Sequence, residues 1–109
     1  MTPPELSNDE LTGLLGRKAF PQTLAEALEQ ARSGERPLAL ALFDVDRFLE
    51  VNEHYGHAAG DQMLAALAGL IRQHIPAGAV AARYGGDEFA IIFPGWEREQ
   101  AFLTMEKLP

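Results

Sequence analysis

No cysteine occurs anywhere in the 109 residues. Disulfide staples and thiolate metal sites are therefore excluded, and a core must be built by apolar packing alone. The same absence fits a reducing cytoplasm, which is the expected location. Long apolar runs are missing too. No stretch reaches the roughly 20 residues that a membrane-spanning helix needs, so no membrane contact is expected from this segment. The opening Met1-Thr2-Pro3-Pro4-Glu5 has neither a basic nor an apolar region and does not read as a signal peptide. Positive charge is scarce. Lys and Arg number 9 against 16 Asp and Glu, a net charge of −7. That balance argues against a general nucleic-acid binder. A polyanionic ligand would have to be met through a cation. There are no internal repeats and no low-complexity tracts.

What is present suffices for one domain: 47% of the residues are hydrophobic. Residues 1–8 read as a lead-in, and a short helical turn is expected at Asp9-Glu10-Leu11-Thr12. Apolar positions 20, 24, 27, 28 and 31 have helical spacing, with Pro21 suited to the first turn and Gly34 to the stop. Leu38 to Val45 is apolar on both faces and reads as a central strand buried on both sides. Residues 47–56 form a loop or short helix. Asp61 to Ile75 carries one apolar stripe, ended by Pro76 and Gly78. Ala79 to Arg83 is a short strand, Phe89 to Phe93 another, and 97–107 a last helix with Phe102 and Met105 on its apolar side. Trp96, Phe20 and Phe102 read as core or edge packing.

This order predicts an α+β fold: a ferredoxin-like β-α-β-β-α(-β) antiparallel sheet covered by helices, with the last strand and helix missing. In that layout the last strand lies beside the first. Strand 38–45 would then keep an unpaired edge, which is a liability. The chain is accordingly expected to be a fragment, or to have that edge covered by a partner.

The chemistry concentrates in two places. Asp44 and Asp46 close a strand, and Asp87 and Glu88 sit at the tip of a hairpin behind Gly85-Gly86. Strands 38–45 and 89–93 should be antiparallel neighbours, which would let Asp44 and Asp87 meet. Carboxylates of this kind suit Mg²⁺ or Mn²⁺. The plainer reading is that turns and strand ends are simply solvated. A calcium loop beginning at Asp44 fails, because Phe48 and Leu49 stand where a ligand and a glycine are needed. Gly85 and Gly86 permit positive φ and close approach of a phosphate. Asn52 and Asp61 could read a guanine edge. Their plainer readings are a turn residue and a first-turn helix acid. His57, between Gly56 and Gly60, is more often a structural turn histidine than a ligand.

Four ordered blocks carry a resemblance. They are Asp9 to Arg17 (DELTGLLGR), Phe43 to Glu53 (FDVDRFLEVNE), Tyr55 to Leu64 (YGHAAGDQML) and Arg83 to Phe89 (RYGGDEF). Together they are similar to the GGDEF domains, the diguanylate cyclase family. The resemblance divides the chain into a lead-in, 1–8, and a partial GGDEF domain, 9–109. It implies a palm-like nucleotidyl cyclase fold and condensation of two GTP into cyclic di-GMP by two facing domains, hence a homodimer, with a sensory domain possible in a longer parent protein. It further implies that Asp44, the Val45 carbonyl and Asp87 hold the cations, and that Glu88 is a ligand or proton acceptor. Gly85 and Gly86 would lie against GTP. Asn52 and Asp61 would hold guanine, with Leu64 beside it. Amides near Arg47 and Phe48 would face the phosphates, and His57 belongs to the same substrate-side set.

Departures from the pattern matter as much. Leu49 stands where the family usually has a phosphate-contacting lysine, and Gly16-Arg17 where it has Asn-Arg. Glu53 replaces an aspartate. Pro76 and Ala79 occupy the positions of an Arg-x-x-Asp inhibitory site, so product inhibition through it is not expected. Three functions compete: a cyclase, a GTP-binding module that no longer cyclises, and a dimerisation piece joined through the edge of strand 38–45.

Overall fold

The computed structural model describes residues 8–45 and 47–107. Its centre is a strand of aromatic and β-branched residues. Phe89, Ala90, Ile91, Ile92 and Phe93 are all at most 1% exposed, a composition that fits a pleated surface covered on both sides. In chain order the elements are helix α1 (Phe20–Ser33), strand β1 (Leu38–Asp44), helices α2 (Phe48–Tyr55) and α3 (His57–His74), strands β2 (Val80–Arg83) and β3 (Glu88–Pro94), and helix α4 (Arg98–Met105). The sheet order is β1-β3-β2, antiparallel throughout. The α+β class and the antiparallel neighbours β1 and β3 are as the sequence predicts.

Alternation along β3 splits the core in two. Phe89, Ile91 and Phe93 face the layer holding Leu64, Ala68 and Ile71 of α3 and Ala101 of α4. Ala90 and Ile92 face Phe20, Leu24 and Ala27 of α1. Phe43 lies opposite Phe89 in register, and their rings stack at 5.6 Å. Trp96 stacks on Phe93 at 5.3 Å. Each large side chain buried here contributes roughly 1.5–3 kcal/mol.

Two expectations need correction. Strand 38–45 is neither central nor covered on both faces. β3 takes the centre, and Leu40 and Leu42 of β1 are 43% and 68% exposed. The cause is the reach of α1, which packs over β2, β3 and Leu38 but leaves the later leucines uncovered. Phe102 is likewise 60% exposed, because Ala101 and Met105 are the α4 residues turned to the core. The unpaired edge of β1 is present among the described residues.

The helices begin and end close to expectation, with informative shifts. Pro21 lies in the first turn of α1 and Gly34 caps its end, but the left-handed residue is Glu35 at φ 53°. Residues 48–55 are a helix rather than a loop, and α3 starts at His57, four residues ahead of the expected start at Asp61. Gly60 makes that possible: a Cβ there would overlap the Asn52 side chain on α2.

The segment before α1 ties the sheet to its hairpin tip. Of the lead-in, residues 1–7 lie outside the described residues, and Asn8 bridges to Leu15. Leu15 in turn exchanges backbone bonds with Ala81 and Arg83, covering part of the free edge of β2. Asp9 folds the turn by accepting from the Thr12 N–H at 2.9 Å and the Thr12 hydroxyl at 2.8 Å. It also pairs with Arg83 at 3.2 Å, both side chains being about one-fifth exposed. Arg83 donates onward to the Gly86 carbonyl at 2.9 and 3.1 Å. One guanidinium thus joins the N-terminal turn to the tip between β2 and β3.

Burial alone would push the Asp9 carboxyl up, but the two Thr12 hydrogen bonds and Arg83 outweigh it and hold it below the usual range. A depressed carboxylate stabilises the fold above its unfolded pKa, near 3.9, and that stability is lost as pH falls through the folded value. Urea unfolding below about pH 4 should therefore show an acid-sensitive component that Asp9→Asn removes, with the variant less stable at neutral pH. In the core, Phe89→Ala should cost about 3–5 kcal/mol, whereas Leu42→Ser should stay within about 0.5 kcal/mol in the same titration.

Candidate functional site

Where β1 ends, β3 begins. Asp44 is the register partner of Glu88, and the Val45 N–H donates to the Asp87 carbonyl at 3.0 Å, carrying the ladder one step further. Three carboxylates are therefore delivered to one end of the sheet by two adjacent strands. They line an open cavity of about 420 Å³ together with Leu42, Phe43, Phe89 and Tyr84. Asp44 and Asp87 line the same cavity. Asp46 lies outside the described residues.

The hairpin tip is built for backbone exposure. Tyr84 and Gly85 both donate to the Glu88 carbonyl, at 2.8 and 3.3 Å. Neither Gly85 nor Gly86 uses the positive φ that glycine permits. At Gly85 the reason for glycine is space, since a Cβ would sit 2.6 Å from a Glu88 carboxylate oxygen and 3.3 Å from the Glu88 Cβ. At Gly86 a Cβ would meet nothing within 4 Å, so no internal contact demands the residue. The bare backbone there faces open space.

A second cluster forms where α2 meets α3. Asn52 is half-buried within α2, and its Oδ1 is buried with no hydrogen-bond partner. Leaving such an atom unpaired costs about 1–3 kcal/mol, which marks a position awaiting a donor. Phe48 flanks it, within 3.2 Å of where a Gly60 side chain would start. Asp61 follows Gly60 on α3 and is exposed. The plainer readings of both residues fail here. Asn52 is not in a turn, and Asp61 falls beyond the first turn of α3, which holds no acid. His57 is the exposed first residue of α3 rather than a packed turn histidine.

Between the clusters, Arg47 is held at φ 60° at the start of α2, a strained conformation for a side-chain-bearing residue. The Phe48 N–H donates to the Val45 carbonyl at 3.3 Å. The two backbone groups expected to meet phosphate and metal thus engage one another through a long bond, and the Val45 oxygen retains a second lone pair. Leu64 departs from expectation: it is fully buried against the α3 side of the core, so it backs the site and presents no surface to a ligand. Leu49 is 68% exposed.

The ligand chemistry of this site is that of a hard divalent cation. Carboxylates and a backbone carbonyl are the right chemistry. Among the described residues no three acidic or histidine side chains stand close enough to cage an ion by themselves. Mg²⁺ is characteristically held by one or two carboxylates with the rest of its shell from phosphate and water, so the fit is to a ligand-borne ion rather than a protein cage.

Sequence reasoning passed over Tyr84, Arg17 and Asp9. Tyr84 lines the acidic cavity, with the edge of Phe20 at 5.8 Å and the Arg17 guanidinium 5.6 Å from its ring centre. Asp9 and Arg83 carry opposite charges in the first and last of the four blocks, and that was the signal available for their pairing.

Known proteins can now be set beside this geometry. The family profile described as "Diguanylate cyclase, GGDEF domain" matches residues 6–108. The diguanylate cyclase DgcP of Pseudomonas aeruginosa is 34% identical over 100 residues, covering 92% of this chain and 15% of DgcP. The cyclic di-GMP phosphodiesterase NbdA of the same organism is also 34% identical, covering 92% of this chain and 13% of NbdA. A solved GGDEF domain of DgcB from Caulobacter crescentus, in complex with c-di-GMP, superposes with a TM-score of 0.92 at 37% identity, covering 99% of this chain and 61% of that one. The chain thus spans less than two thirds of these relatives. With the profile running through nearly the whole chain and the acidic hairpin assembled at the sheet's end, the chain belongs to the GGDEF-domain family of diguanylate cyclases.

Proposed function

We propose that this chain is a GTP-binding half-site of a diguanylate cyclase, and that two GTP-loaded copies face one another as a homodimer to make cyclic di-GMP in the cytoplasm. The observation that carries the reading is the convergence of Asp44, Asp87 and Glu88 on one open cavity at adjacent strand ends. In each half-reaction the 3′-oxygen of one GTP bonds to the α-phosphorus of the other. The bond from that phosphorus to the β-phosphate's bridging oxygen breaks, the hydroxyl proton passes to a base, and pyrophosphate leaves. Two such steps close the ring.

The geometry supports the following roles. Asp44, Asp87 and the Val45 carbonyl would hold a Mg²⁺ or Mn²⁺ ion carried in with the triphosphate. When bound, that ion neutralises phosphate charge and aligns the leaving group. In a chain of net charge −7, a cation between these acids and a triphosphate offsets their like-charge repulsion. Glu88, exposed beside the tip, accepts the 3′-hydroxyl proton or adds a ligand oxygen. Bare backbone at Gly86 lets the nucleotide lie against the tip. The unpaired Asn52 Oδ1 accepts from guanine, and Asp61 accepts from its N1 and N2 hydrogens, a pairing adenine cannot offer. His57, at the head of α3, stands on the rim of this base-binding side. A sensory domain elsewhere in a longer protein would set when the two domains meet.

A second reading has its own observation. Leu49 is exposed where a phosphate-contacting lysine is usual in the family, and a phosphodiesterase is among the relatives. On that reading the domain binds GTP without cyclising it.

Purified chain incubated with GTP and Mg²⁺ should yield cyclic di-GMP by chromatography, and Asp87→Ala should abolish it. GTP binding without product, from folded protein at high concentration, would select the second reading. Failure to bind GTP at all would sink both. Asn52→Ala should weaken GTP binding by about 1–3 kcal/mol while leaving ATP discrimination poorer. Leu49→Lys should tighten GTP binding about tenfold or more by restoring one charge-assisted contact. Gly86→Ala should leave the unfolding midpoint unchanged yet lower GTP affinity, measured by titration calorimetry.

A further inference from the structure

Helix α3 contains two glycines, Gly60 and Gly69, and its backbone asks for neither. Neither has a left-handed φ, so alanine would fit both conformations and favour the helix. At Gly69 a Cβ would meet nothing within 4 Å. At Gly60, which is buried, the space is already taken. A Cβ there would overlap the Asn52 Oδ1, come within 2.9 Å of the Asn52 Cγ and stand 3.2 Å from the Phe48 Cε1. These are side-chain atoms of α2, not its backbone. The glycine therefore makes room for the Asn52 amide, and close approach of the two helix backbones is not what requires it.

Two unfavourable choices meet at this contact. Glycine within a helix destabilises it relative to alanine. The Asn52 Oδ1 is buried there with no hydrogen-bond partner, which also costs stability. An alanine at 60 against a small apolar residue at 52 would remove both costs. Phe48 and Asn52 lie one turn apart on α2 and share a face, so the ring and the amide meet the same point of α3.

We propose that Gly60 is a positioning residue for base recognition: its missing side chain leaves a socket that seats the Asn52 amide for guanine. The inference rests on the proposed role of Asn52 and deepens it. Gly60 itself touches no ligand. A methyl group at 60 displaces the amide by side-chain rotation, since the Asn52 Oδ1 and Cγ are the atoms in its way. Once displaced, the amide loses its bond to the base. Asp61, exposed and next in sequence, is then left to recognise guanine alone. Gly60→Ala thus removes the function of Asn52 without altering Asn52.

Binding is read by titration calorimetry with Mg²⁺ and either 3′-deoxy-GTP or 3′-deoxy-ATP, which cannot cyclise. Gly60→Ala should weaken 3′-deoxy-GTP binding about tenfold, as Asn52→Ala does, and narrow the preference over 3′-deoxy-ATP. In the Asn52→Ala background the same change should have no further effect on affinity. There it should raise the urea midpoint, because the methyl then meets only the end of the Phe48 ring. Gly69→Ala should raise the midpoint and leave affinity alone. Comparing the stability of N52A with that of N52A/G60A needs no nucleotide, and it holds even where Gly60→Ala alone does not fold. Unchanged affinity in folded Gly60→Ala overturns the proposal. So does an equal loss in both backgrounds, which marks a general distortion of α3, or a double variant less stable than N52A. If Asn52→Ala binds 3′-deoxy-GTP as tightly as the wild type, the base-binding role of Asn52 fails instead, and the proposal falls with it.

Discussion

The backbone bond from Val45 N–H to the Asp87 carbonyl carries the β1–β3 ladder past the strand ends, and the acidic cleft depends on it. Register in a sheet is set by which side chains must be buried, because a slip of one residue turns every one to the wrong face. Here Phe43 must stack on Phe89, and Ala39 and Ala41 must meet the α3–α4 layer. Those apolar requirements fix Asp44 opposite Glu88. Like charges are brought together by a core that does not involve them, and the cleft is held open by packing a few ångströms away.

The hairpin tip needs a separate restraint, because four residues lie between β2 and β3 with little apolar anchorage. Arg83 supplies it by grasping the Gly86 carbonyl while paired with Asp9. Asp9 is itself fixed by Thr12, and the Thr12 carbonyl accepts from Arg72 of α3 at 2.6 Å. The path from the N-terminal turn to the tip is thus a chain of charge-assisted bonds. Displacing the turn strains the tip through these bonds, and α1 reaches it through Phe20 against Tyr84.

Much of this was legible in the residues, and the failures are instructive. β3 announced itself through five consecutive aromatic, alanine and isoleucine positions. β1 did not, because a run of Leu and Ala is apolar on both faces whether or not both are covered. Only the placement of α1 decides that, and it is a tertiary fact. Asn52 and Asp61 were legible as a pair only through resemblance, since spacing alone favoured a turn and a cap. The real constraint is the contact of Asn52 with Gly60, eight residues away across two helices. The glycines of the tip were read as permitting positive φ and close approach of a phosphate. Neither uses the first, Gly85 is crowded by the Glu88 side chain, and Gly86 is required by nothing internal.

That last distinction separates stability from function. A residue the fold demands leaves a trace in its own surroundings, as Gly60 does against Asn52 and Gly85 does against Glu88. Gly86 and the orphaned Asn52 Oδ1 leave the opposite trace, one an open space and the other an unmet bond. Neither improves the isolated domain, and the second costs it free energy. One lies at the exposed tip and the other, buried, at the α2–α3 junction. A nucleotide spanning from cleft to junction would fill the space at one end and satisfy the bond at the other. Features that are neutral or costly alone are thereby explained by a single ligand, and that economy favours a nucleotide site over solvated acids at a strand end.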